Sequence, residues 1–224
     1  EGMGNKFLAN IREADAILQV VRIFEDGSIT HVHGEVNPKN DIEIINAELI
    51  IADIETVTKR IASDAKKARA DKDIAEKLKT LEVALEWLEA GNLVSTMPWT
   101  DDQKLHLRDS HLLTNKKFVY ACNVSEDMMD ASHDELQKMI WITDNDTQIV
   151  PICAKLEEDM IEMSEDEKKE FLDDLWLIST GLDNLIKASY DALGLQYYFT
   201  AWEQEVRAWT VKKWASAPQA AGVI

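Results

Sequence analysis

Two short polar segments, Asn123-Val124-Ser125-Glu126 and Ala154-Lys155-Leu156-Glu157, each follow directly on an apolar, strand-like run. In open parallel sheets ligands settle beyond the carboxyl ends of the strands, so a bound molecule is expected at these positions. An Asn amide fixed at a strand end offers both a donor and an acceptor, and so can pair with a purine edge. A carboxylate three residues later can accept from ring or exocyclic nitrogens. The N-x-x-E spacing is short and common. A second reading stands beside it, in which Asn123 caps a turn and Glu126 faces water.

Other chemistry-bearing residues carry weaker patterns. His31 and His33 alternate, as a two-histidine metal site begins, but no third ligand accompanies them. Cys122 and Cys153 end two apolar runs, and a buried free thiol is the default for each. Partial exposure of Cys153 leaves a redox role open. Trp202, Trp209 and Trp214 lie near Arg207, Lys212 and Lys213. Aromatic rings among cations stack bases, while the core of a small domain is the slightly favoured alternative for two of them. The charged run from Glu157 to Asp174 reads as a solvated helical face.

The elements that must hold these residues follow from hydrophobic periodicity. Phe7, Leu8 and Ile11 recur at helical spacing behind Asn5, a candidate N-cap. Ala16 to Phe24 is a short, β-branched apolar run, as expected of a strand buried on both faces. From a cap at Asp41 to about Ala90, apolar residues recur every three or four positions, with a polar break near Lys66 to Asp73 and Gly91 as the stop. That pattern predicts two long helices in an antiparallel hairpin with a narrow, coiled-coil-like seam. A short helix is expected from Thr100, and strands at 118–122 and 148–153. Helices are expected at 133–142, after a capping box of Ser164 with Glu167, and at 181–193 with Gly194 as the stop. Strand–helix alternation of this kind implies a parallel sheet with crossover helices, interrupted by the hairpin. The tail, 196–200 and 206–213, reads as two further strands.

Composition bounds the function classes. The 224 residues are 46% hydrophobic with a formal net charge of −18. That is too apolar for a disordered chain, and the acidity argues against a simple nucleic-acid binder. Two cysteines rule out a disulfide-dense secreted scaffold and a four-cysteine zinc site. No apolar run approaches the ~20 residues that span a bilayer, and the opening residues lack the apolar core of a signal peptide. A soluble, reduced, cytoplasmic protein without a membrane partner is expected. The chain does not begin with Met and stops just after a strand-like segment, so a piece of a longer protein is expected. The charge is unevenly spread. Glu126 to Asp174 holds 17 acidic and 4 basic residues, whereas Glu55 to Lys79 holds 8 basic and 5 acidic.

Several collinear stretches make a resemblance specific. They are Gly-Met-Gly-Asn-Lys-Phe-Leu (2–8), Ile-Thr-His-Val-His-Gly (29–34), Asp-Ile-Glu-Ile-Ile-Asn-Ala-Glu-Leu (41–49) and Asn-Val-Ser-Glu (123–126). Tyr-Phe-Thr-Ala (198–201), Glu-Val-Arg-Ala-Trp-Thr (205–210) and Ala-Pro-Gln-Ala-Ala-Gly-Val-Ile (217–224) complete the set. The chain resembles the YchF family, the Obg-like ATPases among P-loop NTPases.

The resemblance implies an α/β fold: a partial Ras-like nucleotide domain at 1–50 and 112–195, with an inserted antiparallel helical hairpin at 51–111. The beginning of a β-grasp-like TGS domain would follow at 196–224. It implies nucleotide contacts from Asn123, Val124 and Glu126 and from Cys153, Ala154 and Lys155, with Gly2, Gly4 and Asn5 following the switch II segment. The implied ligand is ATP or GTP, with Mg²⁺ in the full-length protein. The implied partner is the ribosome, through its large subunit, with RNA and a monomeric state. The guanine motif Asn-Lys-x-Asp is altered here, Glu126 standing for the Asp and Val124 for the Lys, and the family preference is for ATP. No G-x-x-x-x-G-K-[ST] occurs in these residues, and the metal-coordinating Asp of the family would precede Glu1, so no catalytic residue or metal ligand is expected within them. An NTP hydrolase, inactive as these residues alone, is the leading reading. The alternative is a non-catalytic interaction module centred on the hairpin and the TGS segment.

Overall fold

A computed structural model describes residues 5–25, 35–144 and 146–224. The chain divides into two compact units, one of Glu1–Ile17 with Lys39–Lys117 and the other of Leu18–Pro38 with Phe118–Ile224.

The first unit is built on the helical hairpin. Helix α1 spans Asn5–Glu13, α2 Pro38–Asp64, α3 Lys72–Glu89 and α4 Asp101–Arg108. Helix α2 starts at Pro38, three residues ahead of the cap expected at Asp41. Proline has no N–H to lose in the first turn and its φ is already helical, so it suits a helix start. The turn between α2 and α3 is closed by Asp71, whose carboxylate accepts from the N–H groups of Asp73 (2.9 Å) and Ile74 (3.3 Å). Gly91 stops α3 with a φ of +83°, a conformation glycine adopts without steric cost. Thr100 and Gln103 form a reciprocal capping box at the start of α4.

The two long helices face each other through Ile50 and Val57 on α2 and Leu81, Ala84 and Leu88 on α3. Val94, Trp99, Leu107 and Leu112 close one end of that core. The seam of the hairpin is therefore a short globular core at its base, broader than the coiled-coil stripe expected from spacing. Asp53 lies fully buried at this base. Its carboxylate accepts from the backbone N–H of Leu113 (2.9 Å) and of Thr114 (2.7 Å) and from the Thr114 hydroxyl (2.8 Å). The Thr114 hydroxyl oxygen in turn accepts from Val94 N–H (3.3 Å). Burial pushes the Asp53 carboxyl above its ordinary value, and the three donors pull the other way.

The second unit holds a three-stranded sheet in the order β1-β2-β3, from Ala16–Arg22, Lys117–Asn123 and Gln148–Ile152. Strands β2 and β3 are parallel, with Val119 opposite Gln148 and Asn123 opposite Ile152. Helices α5 (His133–Ile140), α6 (Ala154–Asp159), α7 (Glu165–Asp174) and α8 (Gly181–Ala192) accompany them. Leu185 and Ala188 of α8 pack on Val119, Ala121 and Val150. The charged run behaves as expected: the Ser164–Glu167 capping box starts α7, and Phe171 and Leu172 turn toward Cys153, Leu156 and Met160. Residues 154–157 differ from the loop expected for them. They form the first turn of α6, because Leu156 and Met160 bury one face of it.

After Gly194 (φ +63°), β4 (Leu195–Ala201) and β5 (Val206–Lys212) form an antiparallel ribbon, followed by a short α9 (Ala217–Ala221). Among the described residues no helix is long and apolar enough to cross a membrane.

Truncating Asp53 strands two buried N–H groups and a hydroxyl, each costing roughly 1–3 kcal/mol when left without an acceptor. Asp53→Ala is expected to lower unfolding stability by about 3 kcal/mol. Urea denaturation measures this, and a loss under about 1 kcal/mol would remove the carboxylate from its structural role.

Candidate functional site

Parallel pairing brings the carboxyl ends of β2 and β3 to one edge of the sheet. Val124 N–H donates to Ile152 O (2.9 Å), carrying the ladder one residue past the end of β2 and burying the Val124 side chain. Asn123 Oδ1 accepts from Ala154 N–H (3.2 Å), the first backbone donor of α6. Glu126 opens a single 3₁₀ turn, and its Oε1 accepts from Lys155 Nζ at 2.7 Å. That hydrogen bond, with the charge of Glu126, raises the Lys155 ammonium above its ordinary value. Both side chains are largely exposed, so the pair fixes geometry more than it adds stability.

The expected contacts Asn123, Val124, Glu126, Cys153, Ala154 and Lys155 thus lie together on one sheet edge. Asn123 does cap a backbone N–H, as the bland reading held. Glu126, however, is paired with Lys155, from the 3₁₀ turn after β2 to the first turn of α6. Gly2 and Gly4 lie outside the described residues, as do His31 and His33. Asn5 begins α1, and its side chain lies outside what is described.

Cys153 is 4% exposed, packed with Leu156 and Met160, which agrees with the default of a buried thiol and removes the alternative of partial exposure. Cys122 is buried in β2, where desolvation pushes its thiol up to about 12. Both are free thiols. A small core for two of the three tryptophans was slightly favoured from their setting, with the TGS resemblance tilting back toward contact with RNA; Trp202 and Trp214 are 77% and 96% exposed. A two-stranded ribbon has too little neighbouring structure to bury both its faces. Trp209 donates from Nε1 to Thr200 Oγ1 (3.0 Å), and the Arg207 guanidinium sits 4.1 Å above its ring. Lys213 is paired with Asp191 at 2.6 Å.

Spacing did not single out Gly181. A Cβ there would stand 3.0 Å from Glu157 Oε1 and 3.1 Å from Ile152 Cα. The bare glycine lets the start of α8 press on the end of β3, and Glu157 Oε1 accepts from Leu182 N–H (3.1 Å). The only local signal was a glycine beside a capping Thr180. Among the described residues no three His, Cys, Asp or Glu side chains converge as a metal site would require.

The family described as "YchF-GTPase_C: Protein of unknown function (DUF933)" matches residues 195–224. Over all of its length the chain is 46% identical to "Ribosome-binding ATPase YchF" of Bacillus subtilis (strain 168), covering 62% of that protein. It is 43% identical to the protein of the same name from Escherichia coli O157:H7, again covering 62%. A solved structure, "Structure of the Schizosaccharomyces pombe YchF GTPase", superposes with a TM-score of 0.85 at 34% identity, over 99% of this chain and 61% of that one. The chain therefore spans under two thirds of the length of the relatives it matches. Fold and site together define an α/β protein with a parallel sheet and a polar carboxyl edge. The chain belongs to the YchF family.

Burial holds the Cys122 thiol protonated, and Cys153, 4% exposed, is shielded from a reagent in the folded chain. A chromogenic disulfide reagent at mildly alkaline pH is expected to label neither on the timescale of its reaction with free thiol, and to label both after denaturation. Fast labelling of Cys153 in the native protein would restore the redox reading.

Proposed function

We propose that this chain is the central and C-terminal portion of a ribosome-binding NTP hydrolase that prefers ATP. The base would lie at the β2/β3 edge. The observation that carries this reading is the 2.7 Å pairing of Lys155 with Glu126. A guanine-selective site needs a free carboxylate to accept from the N1–H and exocyclic amine of guanine. Here that carboxylate is neutralised by its own neighbour. Asn123 has its oxygen committed to Ala154, which leaves its amide nitrogen to donate to N7, an acceptor adenine and guanine share. Strict guanine selection is lost on both counts.

The domain organisation proposed is a Ras-like nucleotide domain at 1–50 and 112–195, the hairpin at 51–111 and the start of a TGS domain at 196–224. The match of the C-terminal family to 195–224 supports the last of these. Phosphate and Mg²⁺ chemistry would be supplied by a phosphate-binding loop, for which these 224 residues hold no matching sequence. The residues alone are accordingly proposed not to hydrolyse ATP. In the full-length protein the nucleotide state would move the switch segment that begins before Gly2 and alter presentation of the hairpin and TGS faces. The relatives' names supply the ribosome as partner. Contact with its large subunit and RNA, as a cytoplasmic monomer, completes the proposal. The net positive stretch Glu55 to Lys79 is the electrostatic feature suited to it.

Nucleotide competition on the full-length protein tests the base assignment. ATP is expected to bind at least about tenfold more tightly than GTP, and Glu126→Asp, whose shorter side chain cannot keep the Lys155 bond, to raise GTP affinity several-fold. A tenfold preference for GTP in the unaltered protein sinks the adenine reading.

Ribosome co-sedimentation tests the hairpin separately. Deleting residues 55–90 is expected to lower ribosome binding about tenfold while ATP binding persists. If hydrolysis is absent from the full-length protein and ribosome binding alone survives, the chain is an interaction module instead.

A further inference from the structure

The most acidic part of the chain encloses a cavity that the proposed nucleotide and ribosome functions do not use. A groove of about 800 Å³ runs between α6, α7 and the start of α8. Ile161, Trp176, Ile178 and Leu182 line it, and all four are exposed, Trp176 at 93% and Ile178 completely. Monomeric proteins rarely leave such large apolar side chains clustered in water without a use for them. Between Ala154 and Asp183 the chain carries 11 acidic and 3 basic residues. Glu165, Asp173 and Asp183 stand on the groove itself. Of the two lysines there, Lys168 is already paired with Glu165 at 3.1 Å.

The backbone at Trp176 is an independent observation. Helix α7 closes with Trp176 N–H donating to Asp173 O (3.1 Å) and Leu177 N–H donating to Leu172 O (2.9 Å). That closing turn places Trp176 at a φ of +58°, the left-handed position that helix ends normally fill with glycine. The ring gains no burial in return. Trp141 and Trp214 are also exposed at positive φ, but Trp176 combines that strained, unburied position with a place on the apolar lining of the groove.

We propose that this groove docks a basic, amphipathic segment of a protein partner. Its apolar face would cover Trp176, Ile178, Ile161 and Leu182, and its Lys and Arg residues would meet the acidic rim. The charge selects the class of partner. Nucleic acid and an anionic membrane surface would both be repelled, while a basic segment is steered in and held in register.

The test uses the full chain and two synthetic helical peptides of roughly 14 residues, about four turns. They share one leucine/phenylalanine face and carry either Lys/Arg or Glu on the other. The basic peptide is expected to bind, to shift tryptophan emission to the blue, and to weaken several-fold as salt rises from about 50 to 300 mM. Trp176→Gly is the decisive variant. Glycine suits the left-handed turn, so the thermal midpoint should hold or rise, while peptide affinity should fall at least about tenfold. Ile178→Ala should weaken binding as well. Unchanged affinity in Trp176→Gly would overturn the proposal, as would equal binding of the acidic peptide. Competition by a uridine oligonucleotide at the same site would replace the protein partner with RNA. Concentration-dependent dimerisation abolished by Trp176→Gly would replace it with a second copy of this chain.

Discussion

Parallel pairing of β2 with β3 puts Asn123 beside Ile152 and turns two sequence-distant loops into neighbours. A parallel ladder runs both chains in one direction, so the strands leave the sheet at the same edge and whatever follows them shares that edge. From this register come the Val124–Ile152 bond, the capping of α6 by Asn123, and the reach of Lys155 to Glu126. Slipping the register by one residue would turn Asn123 to the other face of the sheet and separate all three. Gly181 belongs to the same arrangement, since only a residue without Cβ lets α8 close on the end of β3.

The hairpin unit is organised differently. Its apolar seam is ordinary, but its base is fixed by one fully buried carboxylate, Asp53, that gathers three donors from the Leu113–Thr114 turn. A hydrophobic contact is non-directional. A carboxylate with three donors aimed at it is not, and it specifies one position for the returning chain. Arg12 adds a second polar tie, donating to Thr56 Oγ1 (2.8 Å) on α2.

Charge is distributed unevenly along the chain. The net −18 describes no single surface, because the balance between Ala154 and Asp183 is far more acidic than that of the hairpin tip. The acidic flank coincides with exposed apolar side chains and with a tryptophan in a left-handed turn, whereas the hairpin tip is basic and polar. Each region suits a different kind of partner, and neither property is visible in the total.

Local rules were readable along the chain wherever a single segment carries its own signal. The hairpin helices, the helix start at Thr100, the capping box at Ser164, the glycine stops at 91 and 194, and strands β2 and β3 all follow from periodicity and capping chemistry acting within a few residues. The two polar loops were readable as strand ends for the same reason. Features made by residues far apart were not. The acceptor role of Asp53, the bond from Ala154 N–H to Asn123 and the partnership of Lys155 with Glu126 each join residues 29 or more positions apart. The exposure of Trp202 and Trp214 likewise reflects what packs around a two-stranded ribbon rather than their own hydrophobicity. Short-range pattern fixes which element a segment becomes, since propensity and capping energies are local. Pairing, burial and ionisation are settled by long-range packing, which brings the partners together and removes the water between them.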